Sequence, residues 1–277
     1  MPRGPRREGW LHRNPRRLQP GFTRPPRRPG KTHHGLARVL SKLGVASRSE
    51  AADMIAAGRV LVNGRTARDP EQPTDQSVDL IEVDGRAATG AKPVYLAMHK
   101  PAGVLTTAHD PEGRPTVYTL LPDDLNSWVF PVGRLDGPTS GLLLFTNDSR
   151  VGDALTDPES GVPKVYEVKV KPQMSAEALA ALEQGVELDE GFVTRPARVH
   201  VLSSNPGSTW FELTIREGKN RQVRRMALAV GHEVTKLRRT RVGPVELGDL
   251  KSGTCRPLTA AEIRALKVLA RGPGGRR

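Results

Sequence analysis

The sequence predicts an α+β protein: a small helical module followed by a larger domain built on a mixed or mostly antiparallel sheet. Three observations predict it. Between residues 36 and 64, two short helical patterns run into an Asn63-Gly64 hairpin signal. Beyond residue 94, strand-like runs outnumber helical ones, and few of them are separated by a helix. Between these parts lies GRAATGAKP, residues 85–93, which reads as a linker. The division predicted is a basic tail at 1–32, a small module at 33–84, the linker, a large domain at 94–270 and a second basic tail at 271–277.

The first 31 residues carry ten Lys/Arg against one Glu, are rich in proline and show no apolar period. They are read as disordered. The Gly30-Lys31-Thr32 triplet does not complete a phosphate loop, because position 25 is proline. In the small module, Leu36, Val39, Leu40 and Leu43 share one helical face, and Gly44 reads as a left-handed stop. Ser47 and Glu50 have capping-box spacing for a second helix that Gly58 ends. In the large domain, strand-like runs occur at 129–132, 142–146, 165–171, 198–203 and 209–216. Helical patterns occur at 176–184, 220–230 and 260–269, with Ser175 and Thr259 as N-caps of the first and last.

The net charge of +13 resides almost wholly in the tails, leaving the body near +1. Basic arms attract nucleic acid without reading its sequence, and RNA or DNA is the partner they predict. A single cysteine, Cys255, excludes an internal disulfide and a cysteine-ligated zinc site. No metal site is expected. No run of 18 apolar residues predicts a membrane span, and the N-terminal arginines have no apolar stretch behind them. A reducing cytoplasm is the simplest compartment.

Three motifs of the large domain carry the candidate chemistry. They are HKPAGV at 99–104, GRLDGPTSGLLLFTND at 133–148 with KVYEV at 164–168, and EGKNRQVRRM at 217–226. Taken by residue type alone each is ambiguous. Asp136 caps a turn or reacts. Tyr166 is a core tyrosine on an alternating strand or a ligand contact. The basic run is a solvated helix face or an RNA face. Residues 216–241 hold nine Lys/Arg against two acids, a stripe suited to a phosphate backbone. On a helix, Arg221 and Arg225 would share a face and Arg224 would be turned about 60° from Arg221.

The stretch LARVLSKLGVASRSEAADMIAAGRVLVNGR resembles the S4 RNA-binding domain. That resemblance places Arg38, Lys42, Ser47, Arg48 and Arg59 on an RNA-facing surface. Behind it, the three motifs in this order resemble the RsuA/RluB family of pseudouridine synthases, over residues 36 to 262. EGKNRQVRRM is closest to the branch that modifies large-subunit ribosomal RNA. The resemblance implies a catalytic domain at 94–270 and makes Asp136 the catalytic aspartate. It makes Tyr166 the aromatic residue that packs on the target base, and Arg224 the basic partner of the aspartate. Lys100, Pro101 and Gly103 match a motif of structural support, and Lys219, Arg221 and Arg225 fall on the RNA side. One position departs from the family: Pro138 stands where Asp or Asn is usual.

The implied reaction breaks the N1–C1′ bond of a uridine, turns the uracil and joins C5 to C1′. Nothing is oxidised and no group leaves, so no cofactor is expected. Asp136 must be ionised to act as nucleophile or base; burial opposes that and a neighbouring arginine favours it. The resemblance further implies ribosomal RNA, most simply 23S, as the substrate of a monomeric enzyme. The alternatives are a synthase for 16S rRNA or tRNA, and a non-catalytic RNA-binding assembly factor, which would not need Asp136, Tyr166 and Arg224 together.

Overall fold

A computed structural model describes residues 34–188 and 191–271, in two compact units. The disorder expected of the N-terminal tail, and all but Arg271 of the C-terminal one, lie outside these residues.

The first unit runs up to Val94 and includes the excursion Asp123–Phe130. It opens with β1 (His34–Gly35), α1 (Leu36–Lys42) and α2 (Arg48–Ala56). Leu36, Val39 and Leu40 of α1 pack with Ala51 and Ile55 of α2, and this common apolar face explains both helices. The capping box forms: Ser47 Oγ accepts from the Glu50 amide at 3.1 Å, and the Glu50 carboxylate accepts from the Ser47 amide at 2.9 Å. Next come β2 (Val60–Val62) and β3 (Arg65–Thr66), joined by Asn63 and Gly64, both at positive φ as a tight right-twisting hairpin requires. β4 (Pro73–Thr74) pairs with β1. β5 (Ile81–Val83) and β6 (Arg86–Ala87) complete a sheet ordered β3-β2-β5-β6.

Two boundaries differ from the sequence reading. Residues 86–87 belong to this sheet, and Ala91 donates to Leu43 O at 3.1 Å, so most of the supposed linker is part of the first unit. The excursion 123–130, placed by sequence in the large domain, also belongs here: the Trp128 amide donates to Gly44 O at 2.9 Å. Backbone hydrogen bonds made that far along the chain leave no mark on local pattern.

The second unit contains β7 (Tyr95–Lys100), β8 (Phe130–Pro131), β9 (Ser140–Thr146), α3 (Ser149–Thr156) and β10 (Lys164–Lys171). Then follow α4 (Ala176–Gln184), β11 (Arg198–Asn205), β12 (Ser208–Ile215), α5 (Gln222–Ala229), β13 (Glu233–Val242), β14 (Val245–Glu246), β15 (Cys255–Pro257) and α6 (Ala260–Ala270). Among the described residues they form a nine-stranded sheet along the path β11-β12-β10-β13-β9-β7-β15, with β8 and β14 as short additions. The pairs along that path are antiparallel except β13–β9. The architecture is therefore the α+β mixed sheet that the sequence predicts. Leu142 and Leu144 of β9 pack with Val151 and Leu155 of α3 and Leu266 of α6. Ser175 and Thr259 cap α4 and α6 as read from sequence.

The sequence reading missed β13, which is central in the sheet. EVTKLRRTRV is too cationic to look like an interior strand, yet Val234, Leu237, Arg239 and Val242 are buried.

Candidate active site

The segment 133–139 leads into β9, and Asp136 lies on it. The Thr139 amide donates to Asp136 O at 3.0 Å, closing a turn around Gly137 and Pro138. Pro138 is exposed and the turn still closes, so this departure from the family pattern leaves the loop's hydrogen bond in place. The segment after β7 holds the turn from both sides. Thr106 Oγ1 donates to Leu135 O at 2.8 Å, and the Gly103 amide donates to Gly137 O at 2.7 Å. Lys100, fully buried, donates to Pro101 O at 2.8 Å, Val104 O at 2.7 Å and Gly137 O at 3.4 Å. The HKPAGV motif thus fixes the carbonyl after Asp136, and Thr106, just beyond the motif, fixes the one before it. Burial pulls the Lys100 pKa down to about 8, and the charge of Asp136 opposes that fall.

Strand register brings the other groups to one row. Tyr166 on β10 pairs with Arg239 on β13, Arg239 pairs with Gly141 on β9, and Gly141 pairs with Lys100 on β7. Residues paired directly across strands point to the same face. Tyr166, Arg239 and Lys100 therefore share a face, with the Asp136 turn entering the row at Gly141. Gly141 is required there. Its φ is +110°, and a Cβ would lie 2.2 Å from Arg239 O, so any side chain would push β9 from β13. Tyr166 is only 8% exposed.

Arg224 enters from α5. Its Nη1 donates to Val234 O at 3.1 Å and its Nη2 reaches Pro138 O at 3.5 Å, two residues past Asp136. Among the described residues no ion pair joins Arg224 to Asp136: the guanidinium holds the turn's backbone instead of gripping the carboxylate. Burial, and then the charge of Arg221, lower the Arg224 pKa, while Asp136 opposes them. Arg224 Nε is buried without a partner, and so is the Thr139 hydroxyl. Two buried polar atoms beside the aspartate turn are thus left without a hydrogen-bond partner.

The loop before α5 is built by groups not singled out in the sequence. The buried carboxylate of Glu217 accepts from the Arg195 amide at 3.0 Å and from the Gln222 side chain. Gln222 Oε1 accepts in turn from the Lys219 amide at 2.9 Å. This fixes how the basic run is presented. Arg221 is the residue before α5, at φ +48°, and not on the helix face that it was expected to share with Arg225. Lys219 is exposed beside the Phe192 ring, at 5.2 Å from its centre. Arg225 is half-buried. The cationic stripe at 216–241 is not one RNA face: Arg239 is buried, and Arg238 is bound to Glu167 at 2.7 Å.

In the first unit, Arg38 and Arg48 are exposed. Lys42 lies 3.1 Å from His34 Nε2, whose pKa is lowered by burial and then by Lys42 and Arg38. Ser47 is buried with its hydroxyl engaged in the helix cap, so it does not present that hydroxyl to a partner. Arg59 is held bidentately by Asp84, at 3.0 and 2.6 Å.

No cluster of His, Cys, Asp or Glu suited to a metal ion occurs among the described residues. No helix among them is long and apolar enough to cross a membrane.

The family model for RNA pseudouridylate synthase matches residues 94–229, and that for the S4 domain matches 35–76. Over 237 residues the chain is 40% identical to ribosomal large subunit pseudouridine synthase B of Bacillus subtilis (strain 168), covering 85% of this chain and 96% of that one. It is 38% identical over 232 residues to an uncharacterized RNA pseudouridine synthase, YtzG, of the same organism, covering 83% and 97%. A crystal structure of a pseudouridylate synthase superposes with a TM-score of 0.62 at 30% identity, covering 84% of this chain and 99% of that one. With these relatives, and with the aspartate turn, tyrosine strand and arginine helix of its second unit, the chain belongs to the RNA pseudouridine synthases that carry an S4 domain.

Proposed function

We propose that this isomerase converts a uridine of ribosomal RNA, in the large-subunit 23S molecule, to pseudouridine, with Asp136 as the reacting carboxylate. The observation that carries the reading is the Asp136 turn. It is held from both sides by Thr106, Gly103 and Lys100, and two cations, Lys100 and Arg224, feel its charge. A turn aspartate that served only to cap would not need such a frame. The B. subtilis relative named for the large subunit supports the choice of substrate.

The target uridine must leave its stack to reach Asp136. Tyr166 offers its ring as a new stacking surface, worth about 1–3 kcal/mol. Asp136 either attacks C1′ and displaces N1, or removes the C2′ proton so that the N1–C1′ bond breaks. The freed uracil turns on Tyr166 and C5 bonds to C1′, which releases the carboxylate or returns the proton to C2′; the C5 proton then departs as N1 takes one up. Arg224 holds the turn in register throughout by its Pro138 contact. Arg38, Lys42 and Arg48 of the S4 unit, and Lys219, Arg221 and Arg225 of the second, supply phosphate contacts, and the basic tails add charge that reads no sequence. The enzyme acts as a monomer in the cytoplasm. Pseudouridine mapping of total RNA from cells with and without the protein tests the substrate. One 23S position lost with the gene is the expected result; a loss confined to 16S rRNA or tRNA overturns it.

A further inference from the structure

Arg239 is 4% exposed, and its chemistry is incomplete. Its Nε donates to Leu142 O at 2.8 Å, while Nη2 is buried with no partner, and among the described residues no carboxylate pairs with it. Removing a guanidinium from water is costly unless its charge and donors are met. A second cation lies beside it. Lys164 stands two residues before Tyr166 on β10; it pairs with Val242 of β13, and past an irregularity in the register Tyr166 pairs with Arg239. Lys164 Nζ donates only to Val162 O, at 3.3 Å, and no carboxylate pairs with it either among the described residues. Its pKa is lowered by burial first and by the charge of Arg239 second, so the two cations lie in each other's field. Lys164 is half-buried and connects the pair to solvent.

Two neighbouring cations without a counter-ion, flanking one tyrosine, make a place for an anion that the chain itself does not supply. Resting on the reading that Tyr166 stacks the target base, we infer that Arg239 and Lys164 receive the backbone phosphate of the nucleotide that enters beside Tyr166. A phosphodiester accompanies every nucleotide of the substrate, and a guanidinium with a free Nη suits its oxygens. The bound phosphate offsets the repulsion between the two cations, so docking of the backbone and placement of the base on Tyr166 favour one another. Arg239 also bridges to β9 through Leu142 O, and a purely structural role would end there.

Lys164→Met separates the two. It leaves the Leu142 bridge intact and removes a charge that the fold bears at a cost. The variant should therefore melt at or above the wild-type temperature, yet bind RNA more weakly. Kinetics would use total ribosomal RNA from cells lacking the protein, which contains the substrate whichever subunit it belongs to. The expected result is a KM raised about tenfold with kcat kept, and a slope of log affinity against log salt reduced by about 0.7, one single-strand phosphate contact. In a second arm, melting is followed with uridine, with uridine 5′-monophosphate and with uridine 3′-monophosphate at matched ionic strength. At least one monophosphate should stabilise the wild type more than uridine does. Lys164→Met and Arg239→Gln should both lose that excess. An unchanged salt slope with equal response to uridine and both monophosphates overturns the inference and leaves Arg239 as a bridge between strands. A wild type inactive on ribosomal RNA would refute the proposed substrate, and the nucleotide arm would still decide the phosphate site.

Discussion

Lys100→Met is a perturbation whose size follows from where the ammonium sits. Lys100 is fully buried, and burial lowers its pKa from 10.5 to about 8 against the opposing charge of Asp136. Below pH 8 the group is charged in the folded and unfolded chain alike, and the folded chain carries the cost of desolvating it. Between pH 8 and 10.5 the unfolded chain still holds the proton while the folded chain has released it, so stability rises with pH; above 10.5 the cost is gone. That interval corresponds to about 3 kcal/mol. Methionine does not titrate. The wild-type unfolding free energy minus that of Lys100→Met should therefore grow by about 3 kcal/mol from pH 7 to pH 11. Urea unfolding followed by circular dichroism across that range measures it, and other titrating groups cancel in the difference. In an Asp136→Asn background the rise should begin at lower pH, because the charge that supports the ammonium has been removed. A difference that stays flat with pH would refute the reasoning, as would a rise that Asp136→Asn does not move.

Other perturbations test the frame around the aspartate. Gly141→Ala places a Cβ against the Arg239 backbone and should cost at least about 2 kcal/mol in thermal or urea unfolding. A neutral substitution would mean that β9 and β13 do not approach so closely. Arg224→Ala frees the Asp136 turn from α5 and should lower kcat by about 100-fold while changing RNA affinity little. A pure loss of affinity would make Arg224 a backbone contact like its neighbours. Removing residues 1–31, which carry most of the net charge, should flatten the salt dependence of RNA binding in a filter-binding titration. An unchanged slope would show that the tail does not touch RNA.

The parts of this molecule legible in its sequence are those written in local pattern. The α2 capping box, the Asn63-Gly64 hairpin and the N-caps Ser175 and Thr259 need only residues a few positions apart, and each forms as read. The α+β class followed from strand runs, and the resemblance to pseudouridine synthases followed from motifs with fixed internal spacing. Strand β13 was not legible, because a strand that uses a buried arginine and pairs others with acids looks like a solvated basic segment. Charge alone thus groups Arg238, which pairs with Glu167, and the buried Arg239 with the exposed cations of the α5 loop, although the three do not form one continuous surface. Nor could spacing reveal that Arg224 would bind the Pro138 carbonyl instead of the Asp136 carboxylate. That depends on where α5 meets the turn, 86 residues away in the chain. The Glu217–Gln222 brace lies within EGKNRQVRRM, but it is completed by the Arg195 amide 22 residues earlier in the chain, which local spacing does not reveal.

The central claim is that Asp136 reacts, and Asp136→Asn tests it most directly. Asparagine caps a turn about as well as aspartate and has nearly its shape, but is a far poorer nucleophile and base. The backbone bonds that frame the turn, at Leu135, Gly137 and Asp136 O, do not use the carboxylate and should survive the change. The measurement is tritium release from C5-labelled uridine in ribosomal RNA, with RNA binding and thermal melting on the same preparation. The account predicts a folded protein that binds RNA and releases no tritium. A folded Asp136→Asn protein releasing tritium near the wild-type rate would contradict it and leave the aspartate a turn residue.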